Sequence, residues 1–390
     1  PSPLRALTRL GAANGSMGRS SRPSPSSGRG RPAGGRADES HPIRSCPSLA
    51  ARAPRCKNSR YVGPVSESGT SADDSTGPGL SAEDTRVKVR VPAKVNLSLR
   101  LAPRDDDGYH PVSTVFQAVS LFDEVVAERR TGGLVDVFMH GGQADRVSDD
   151  TTNLAVRAAL LLRAERGDPE LGVHLDITKA IPVAGGMAGG SADAAASLLA
   201  CSVLWDLDTT PDDLHELASR LGSDVPFALL GGTAIGHGRG EQLVPALTRG
   251  SYQWVLAVAP EGLSTPSVFA HFDAQLARGA VSPMPSAGAE PPRELLNALS
   301  GGDAESVAAH LGNDLQEAAC ELYPPLRRTL DIGTQAGALA AIVSGSGPTC
   351  AFLCANQADA RNVEAVLLGL DQVLEVHRVS GPVPGAQLVS

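Results

Sequence analysis

Lysine is nearly missing from these 390 residues: it stands only at positions 57, 88, 94 and 179, and arginine carries the rest of the positive charge. We read that imbalance as the coding bias of a GC-rich genome. Aromatic residues are 3% of the chain, too few to stack the bases of a single strand. Beyond residue 80 the chain holds 22 Lys+Arg against 38 Asp+Glu, so no broad basic surface is available for a polyanionic nucleic acid. No apolar run approaches membrane-spanning length. The nine histidines show no H-x-x-x-H or Cys/His ligand spacing, which excludes a metal hydrolase built on such a motif. The six cysteines show no C-x-x-C spacing. Cys46 and Cys56 fall in an unusual N-terminal stretch, whereas Cys201, Cys320, Cys350 and Cys354 sit in apolar surroundings and read as reduced core thiols of a cytosolic protein. Neither a Walker loop nor a G-x-G-x-x-G dinucleotide loop is present.

What is present is enough apolar material, 42%, for two ordinary domains. Residues 1–85 are dominated by Ser, Gly, Pro, Arg and Ala and bury too little to offset the entropy of ordering them, so disorder is expected there. The stretch reads as an upstream extension without a fold; its Arg/Ser-rich, acid-poor start also has the composition of a transit peptide. A cytoplasmic location is expected, or a plastid one if that start is a transit peptide.

From Val87 the pattern changes. Val87, Val89, Val91, Val95, Leu97, Leu99 and Leu101 alternate with Lys88, Arg90, Lys94, Asn96, Ser98 and Arg100, which predicts a strand with one buried face. Asp107-Gly108 supplies a turn, and Val112 to Val126 the returning strand. Thr151 or Thr152 is placed to cap a helix carrying Leu154, Ala158, Leu161 and Leu162, followed by a strand through Val173, Leu175 and Ile177. Further helices are expected from Ser191 to Trp205, from Thr210 to Leu221 and across 293–336, and strands at 254–259, 339–344 and 349–354. Residues 279–292 read as an exposed loop. The chain is α+β in two parts.

Four segments carry possible chemistry. Pro182, Val183, Ala184, Gly185, Gly186, Met187, Ala188, Gly189, Gly190, Ser191, Ala192 and Asp193 join a strand to an alanine-rich helix; small residues there let backbone N–H groups approach a phosphate, or simply make a tight turn. Asp224, in Ser223-Asp224-Val225-Pro226-Phe227, is either a base or a loop carboxylate bonded to nearby amides. Lys94 is either functional or solvated on a polar strand face, together with Asn96. Tyr109 and His110, after the turn, either meet a flat ligand or pack.

Taken together, Pro92-Ala93-Lys94-Val95-Asn96, Gly108-Tyr109-His110, the glycine loop, Ser223-Asp224-Val225-Pro226-Phe227 and Gly345-Ser346-Gly347-Pro348-Thr349 resemble the GHMP kinases in order and spacing. Within them the pattern is similar to the branch acting on a cytidine diphosphate derivative of methylerythritol in the non-mevalonate isoprenoid pathway. The resemblance spans about residues 86–380. It implies a two-domain GHMP kinase fold, with an ATP-binding domain over 86–248 and a ferredoxin-like C-terminal domain over 249–385. It implies ATP as phosphoryl donor, Mg2+, and a small-molecule alcohol as partner, with no nucleic acid or membrane. It further implies Asp224 as base, Lys94 as its cationic neighbour, residues 182–192 as ATP-binding, and Asn96, Tyr109, His110 and Phe269 on the substrate. Ala184, Ala188 and Ala192 stand where the family commonly has Gly, Gly and Ser, and Met187 where Leu is usual. Asp193 either stabilises the helix start or reaches magnesium through water.

Overall fold

The computed structural model describes residues 86–281 and 291–389. The disorder expected for 1–85, and most of the loop expected at 279–292, lie outside the described residues.

The alternating run after Val87 forms strand β1 (Arg86–Leu101), which turns into β2 (Val112–Arg130) and pairs with it antiparallel along almost its whole length. The odd-numbered residues from Val87 to Leu97 enter the main core and Leu99 and Leu101 a second one, all on the face that the period of two dictates. The expectation of a single buried face fails between Val91 and Leu99: Lys94, Asn96 and Ser98 are buried as well. Their face is covered by a later segment, since a side chain at Gly345 would meet Lys94 Nζ at 3.2 Å and Asn96 Oδ1 at 3.3 Å. A short-range pattern records polarity but not which distant part of the chain covers it.

β3 (Val135–Gly141), helix α1 (Leu154–Arg166) and β4 (Gly172–Lys179) follow. Asn153 caps α1 by accepting from Ala155 N at 2.8 Å, in place of the expected Thr151 or Thr152. Thr152 instead bonds back to Asp150, which removes it from the competition.

Helix α2 (Gly189–Leu204) begins two residues before Ser191. Its alanines allow close approach to β1, β2 and α1, and it is buried nearly all round. Full burial of a side chain such as Leu198 contributes about 2 kcal/mol. α3 (Pro211–Leu221) starts with a Thr210/Asp213 capping box and Pro211 in its first turn, as its sequence foretells. α4 (Val225–Leu230), β5 (Thr233–His237) and β6 (Gln242–Pro245) complete the first half.

The second half runs β7 (Tyr252–Val258), α5 (Thr265–Ala277), α6 (Arg293–Gly301), α7 (Ala304–Ala308), β8 (Gly312–Asn313), α8 (Gln316–Leu322), α9 (Pro325–Gln335), β9 (Ala340–Val343), β10 (Cys350–Cys354), α10 (Gln357–Leu367), β11 (Glu375–Gly381) and β12 (Gln387–Val389). Its four-stranded sheet has the order β11-β7-β10-β9 with every pair antiparallel. With α5 to α9 between β7 and β9, and α10 between β10 and β11, this is the split β-α-β-β-α-β arrangement expected of a ferredoxin-like unit. Gly333 of α9 is required there, because a Cβ would press into the Phe352 ring at 2.2 Å.

The first sheet has the backbone order β12-β1-β2-β4-β3, with β5 on β2 and β8 on β1. Two strands of the second half, β8 and β12, therefore return to β1 and tie the halves together. Cys201, Cys320, Cys350 and Cys354 are free and buried, as expected of core thiols.

Candidate active site

Lys94 projects from the middle of β1, between two irregularities in its pairing with β2. Its Nζ donates to Asn96 Oδ1 at 2.6 Å, Asn96 Nδ2 donates to Thr114 Oγ1 at 2.9 Å, and Thr114 Oγ1 donates to Ser98 O at 2.7 Å. The ammonium also lies over the Phe116 ring, 5.6 Å from its centre. This chain of contacts holds a flexible side chain in one direction. Burial lowers the Lys94 pKa from its ordinary value, and the nearby Asp224 carboxylate partly restores it.

Asp224 is the residue preceding α4, and its side chain makes no capping bond to that helix. The bland alternative, a carboxylate spent on loop amides, is thereby set aside. Its Oδ2 lies 3.9 Å from Lys94 Nζ, and its side chain is 30% exposed where that of Lys94 is 7% exposed. One charge is fixed from below, and the other is open to a ligand.

Facing this pair is the glycine loop. A cleft of about 370 Å³ is lined by Lys94, Asn96, Asp224, Ala184 to Gly186, Ala188 to Ser191, Arg239, Thr265, Phe269, Gly345 and Ser346, among others. The loop carbonyls are already engaged: Gly185 O accepts from Thr349 N, Gly186 O from Ser344 Oγ, Met187 O from Lys94 N and Ala188 O from Ala192 N. The N–H groups of the first turn of α2 have no intrahelical acceptor by construction, and they point where an anion is favoured. Met187 is fully buried and Ala192 nearly so; they anchor the loop in the core and do not line the cleft. Pro182 and Val183 also stand outside it. Ala184 and Ala188 have φ of 54° and 62°, in the left-handed region where glycine is easiest.

A second cavity of about 360 Å³ lies against the same loop, sharing Leu154, Ala184, Gly189 and Gly190 with the first. Arg146, Ser148, Thr152, Asn153 and Leu154 help line it.

The remaining candidates form the far rim. Phe269 of α5 lines the main cleft and lies 5.7 Å, centre to centre, from the His110 ring. Tyr109 is exposed, with the Arg239 guanidinium 3.6 Å above its ring. His110 is buried: Nδ1 meets Ala102 O at 2.7 Å and Nε2 meets Asp273 Oδ1 at 2.9 Å. The structure thus gathers Lys94, Asn96, Asp224, Phe269 and the loop into one cleft, and sets Tyr109 and His110 just behind its edge.

Sequence reasoning missed Arg239, Thr265 and, most of all, Lys179. The Lys179 ammonium is buried beneath the loop, donating to Asp193 Oδ2 at 2.7 Å and to Asp123 Oδ2. Burial pushes the Asp193 carboxyl up to about 7 against the pull of Lys179. Burial opposes the Lys179 charge, yet Asp193 and Asp123 outweigh it and leave its pKa raised. The scarcity of lysine was the available signal, since Lys179 stands three residues before Pro182, where the loop begins.

Among the described residues, no group of three or more His, Cys, Asp or Glu could hold a metal ion, and no helix is long and apolar enough to cross a membrane.

A buried cation beside an open carboxylate, facing amide donors at a helix start, is an arrangement suited to phosphoryl transfer. Residues 153–232 match the model of the GHMP kinases N terminal domain and residues 293–368 that of the GHMP kinases C terminal domain. The chain belongs to the GHMP kinase family. It is 52% identical over 313 residues to the 4-diphosphocytidyl-2-C-methyl-D-erythritol kinase of Rhodococcus jostii, covering 80% of this chain and 97% of that one. It is 47% identical to the enzyme of the same name from Cutibacterium acnes, over 78% of this chain and 97% of the relative. A solved 4-(cytidine 5'-diphospho)-2C-methyl-D-erythritol kinase matches with a TM-score of 0.59 at 31% identity, covering 75% of this chain and 99% of that one. A homoserine kinase from Cytophaga hutchinsonii shares the fold at 18% identity, with a TM-score of 0.61 over 80% of this chain and all of that one.

Proposed function

We propose that this chain transfers the γ-phosphoryl group of ATP to the 2-hydroxyl of 4-diphosphocytidyl-2-C-methyl-D-erythritol, giving the 2-phosphate and ADP, in the non-mevalonate route to isoprenoid precursors. The observation that carries the reading is the Lys94–Asp224 pair opposite a loop whose carbonyls at residues 185 to 188 accept from protein donors. Identity near 50% to relatives of that name supports the choice of alcohol.

In this reading Asp224 accepts the proton of the attacking hydroxyl while Lys94 offsets charge at the alkoxide. The 2-hydroxyl is on a carbon that also bears a methyl group, so the nucleophile is hindered and its alignment matters as much as its basicity. The amides of residues 184–191 hold the phosphates. The two cavities share Leu154, Ala184, Gly189 and Gly190, which supports threading the nucleotide across the loop with its reactive end toward Asp224 and its nucleoside toward Asn153.

Magnesium in such reactions keeps several waters and takes most of its ligands from phosphate oxygens. The site fits that demand: Ser191 lines the cleft and would offer it a hydroxyl, and no dedicated carboxylate cage is needed. When bound, the ion neutralises charge on the transferring group.

Phe269 and Tyr109 are the faces for the cytosine, and His110, whose two ring nitrogens are engaged by Ala102 O and Asp273 Oδ1, sets their spacing. Asn96 Oδ1 is committed to Lys94, which leaves one N–H of its amide for the erythritol part. The division into an ATP-binding domain, 86–248, and a C-terminal domain, 249–385, belongs to the same reading. A cytoplasmic location suits the buried free thiols.

A coupled assay of ADP release, offering the cytidine substrate beside homoserine and mevalonate, tests the proposal. Release with the cytidine substrate alone is the expected result; equal release with homoserine or mevalonate overturns the choice of alcohol.

A further inference from the structure

Both ends of the glycine loop meet at one ammonium group. On the entering side, Asp123 of β2 binds Lys179 through Oδ2, while its Oδ1 accepts from Ala180 N at 2.6 Å and Ile181 N at 2.8 Å. On the leaving side, Asp193 in the first turn of α2 accepts from Lys179 through Oδ2 at 2.7 Å. Between these anchors run residues 182–192, the whole segment read as phosphate-binding.

The three side chains are almost completely withdrawn from water, at 1% exposure for Lys179, 0% for Asp123 and 5% for Asp193. Gly189, the first residue of α2, is small for the same reason: a Cβ there would meet Lys179 Nζ at 3.3 Å and Ile181 Cγ2 at 3.2 Å. Asp193 Oδ1 is buried without a partner, and Asp193 lines the second cavity beside the loop. A buried pair with an unpaired oxygen is a poor device for stability alone, because an apolar replacement of equal volume would avoid desolvating the charges. Its placement accounts for it better. The cluster fixes the distance between the strand end and the helix start, and so the curvature of the amides between them.

We propose that Lys179 is a positioning residue that sets the span of the glycine loop, and through it the grip on the nucleotide's phosphates. The inference rests on reading that loop as the ATP site. Lys179 touches neither the alcohol nor the reacting atoms; it acts through Asp123 and Asp193 on the loop's two ends.

The test uses the full chain and three variants, Asp193→Asn, Lys179→Met, and Lys179→Met combined with Asp193→Asn. The double variant relieves the repulsion between two aspartates that Lys179→Met alone leaves buried side by side. Binding of a non-hydrolysable ATP analogue is followed by calorimetry, and KM is measured separately for ATP and for the alcohol.

The expected result is nucleotide affinity lowered about tenfold in the folded double variant and by a smaller factor in Asp193→Asn, with the KM of the alcohol within about twofold of the parent. A purely structural role would lower the active fraction without separating the two KM values. Unchanged nucleotide affinity in Asp193→Asn, or an equal rise in both KM values, overturns the proposal. If the parent chain itself fails to bind the analogue, the reading of the loop falls instead, which keeps the two failures distinct.

Discussion

Lys94 Nζ and Asp224 Oδ2 stand 3.9 Å apart, near enough to feel each other's charge and too far for a direct hydrogen bond. Lys94 donates one N–H to Asn96 and at 3.9 Å none to Asp224 Oδ2, so that carboxylate oxygen keeps its lone pairs for an incoming hydroxyl. A direct short salt bridge would have tied up the base it is meant to support.

Asp224→Asn removes the proton acceptor and keeps the shape. Turnover should fall by at least about a hundredfold, while ATP affinity stays near that of the parent. Steady-state kinetics with a nucleotide titration check this, and unchanged turnover would remove Asp224 from the mechanism.

The pH response follows from Lys94. Burial lowers its pKa below the ordinary lysine value, so its ammonium form is lost at a lower pH than for an exposed lysine. The rate, kcat/KM, should therefore decline on the alkaline side before pH reaches the ordinary lysine value of 10.5. Lys94→Arg, slower overall, should move that decline to higher pH. For stability the sign is opposite. Folding disfavours the charged form, so the full cost is felt below the folded pKa and fades as pH rises through it toward the unfolded value. A pH–rate profile of both proteins decides the first point; coincident alkaline limbs would contradict it.

Two loop substitutions should move stability in opposite directions. Gly186 has φ of 76°, and a Cβ there would meet Ser344 O at 2.3 Å, so Gly186→Ala should cost about 1–3 kcal/mol and raise the KM for ATP. Ala188 already sits at φ of 62°, so Ala188→Gly should relieve about 1 kcal/mol of strain. Denaturant unfolding of both variants gives the two signs.

Phe269→Ala takes one aromatic face from the rim of the cleft. The KM for the cytidine substrate should rise about tenfold with that for ATP unchanged, since the loop amides are untouched. Parallel changes in both would place Phe269 in the general architecture of the cleft and not at the base.

Much of this was readable from the chain, and the gaps have a common cause. β1, β4, α3 and, in the second half, β7, β9 and β10 follow local periodicity and capping, which need no knowledge of distant residues. The substitution of alanine at 184 and 188 could be seen, though only the backbone reveals that both lie at positive φ. The sequence around Lys94 left it open between a functional and a solvated role, because nothing local says that Gly345 will cover it. The capping of α1 by Asn153 was lost to a competition between neighbouring side chains for one amide. Lys179 escaped because its partners lie 56 residues before it and 14 after it, on separate elements. Charge networks of that kind are set by topology, and a linear pattern carries no trace of them.

The most direct measurement is the phosphorus NMR spectrum of the product formed from ATP and the cytidine substrate. Transfer to the 2-hydroxyl, whose carbon bears no hydrogen, predicts a new phosphate monoester signal without three-bond coupling to a proton, absent when Asp224→Asn replaces the parent. A proton-coupled monoester would put the phosphate on another hydroxyl, and inorganic phosphate alone would mean that water, not the alcohol, is the acceptor; either result contradicts the account.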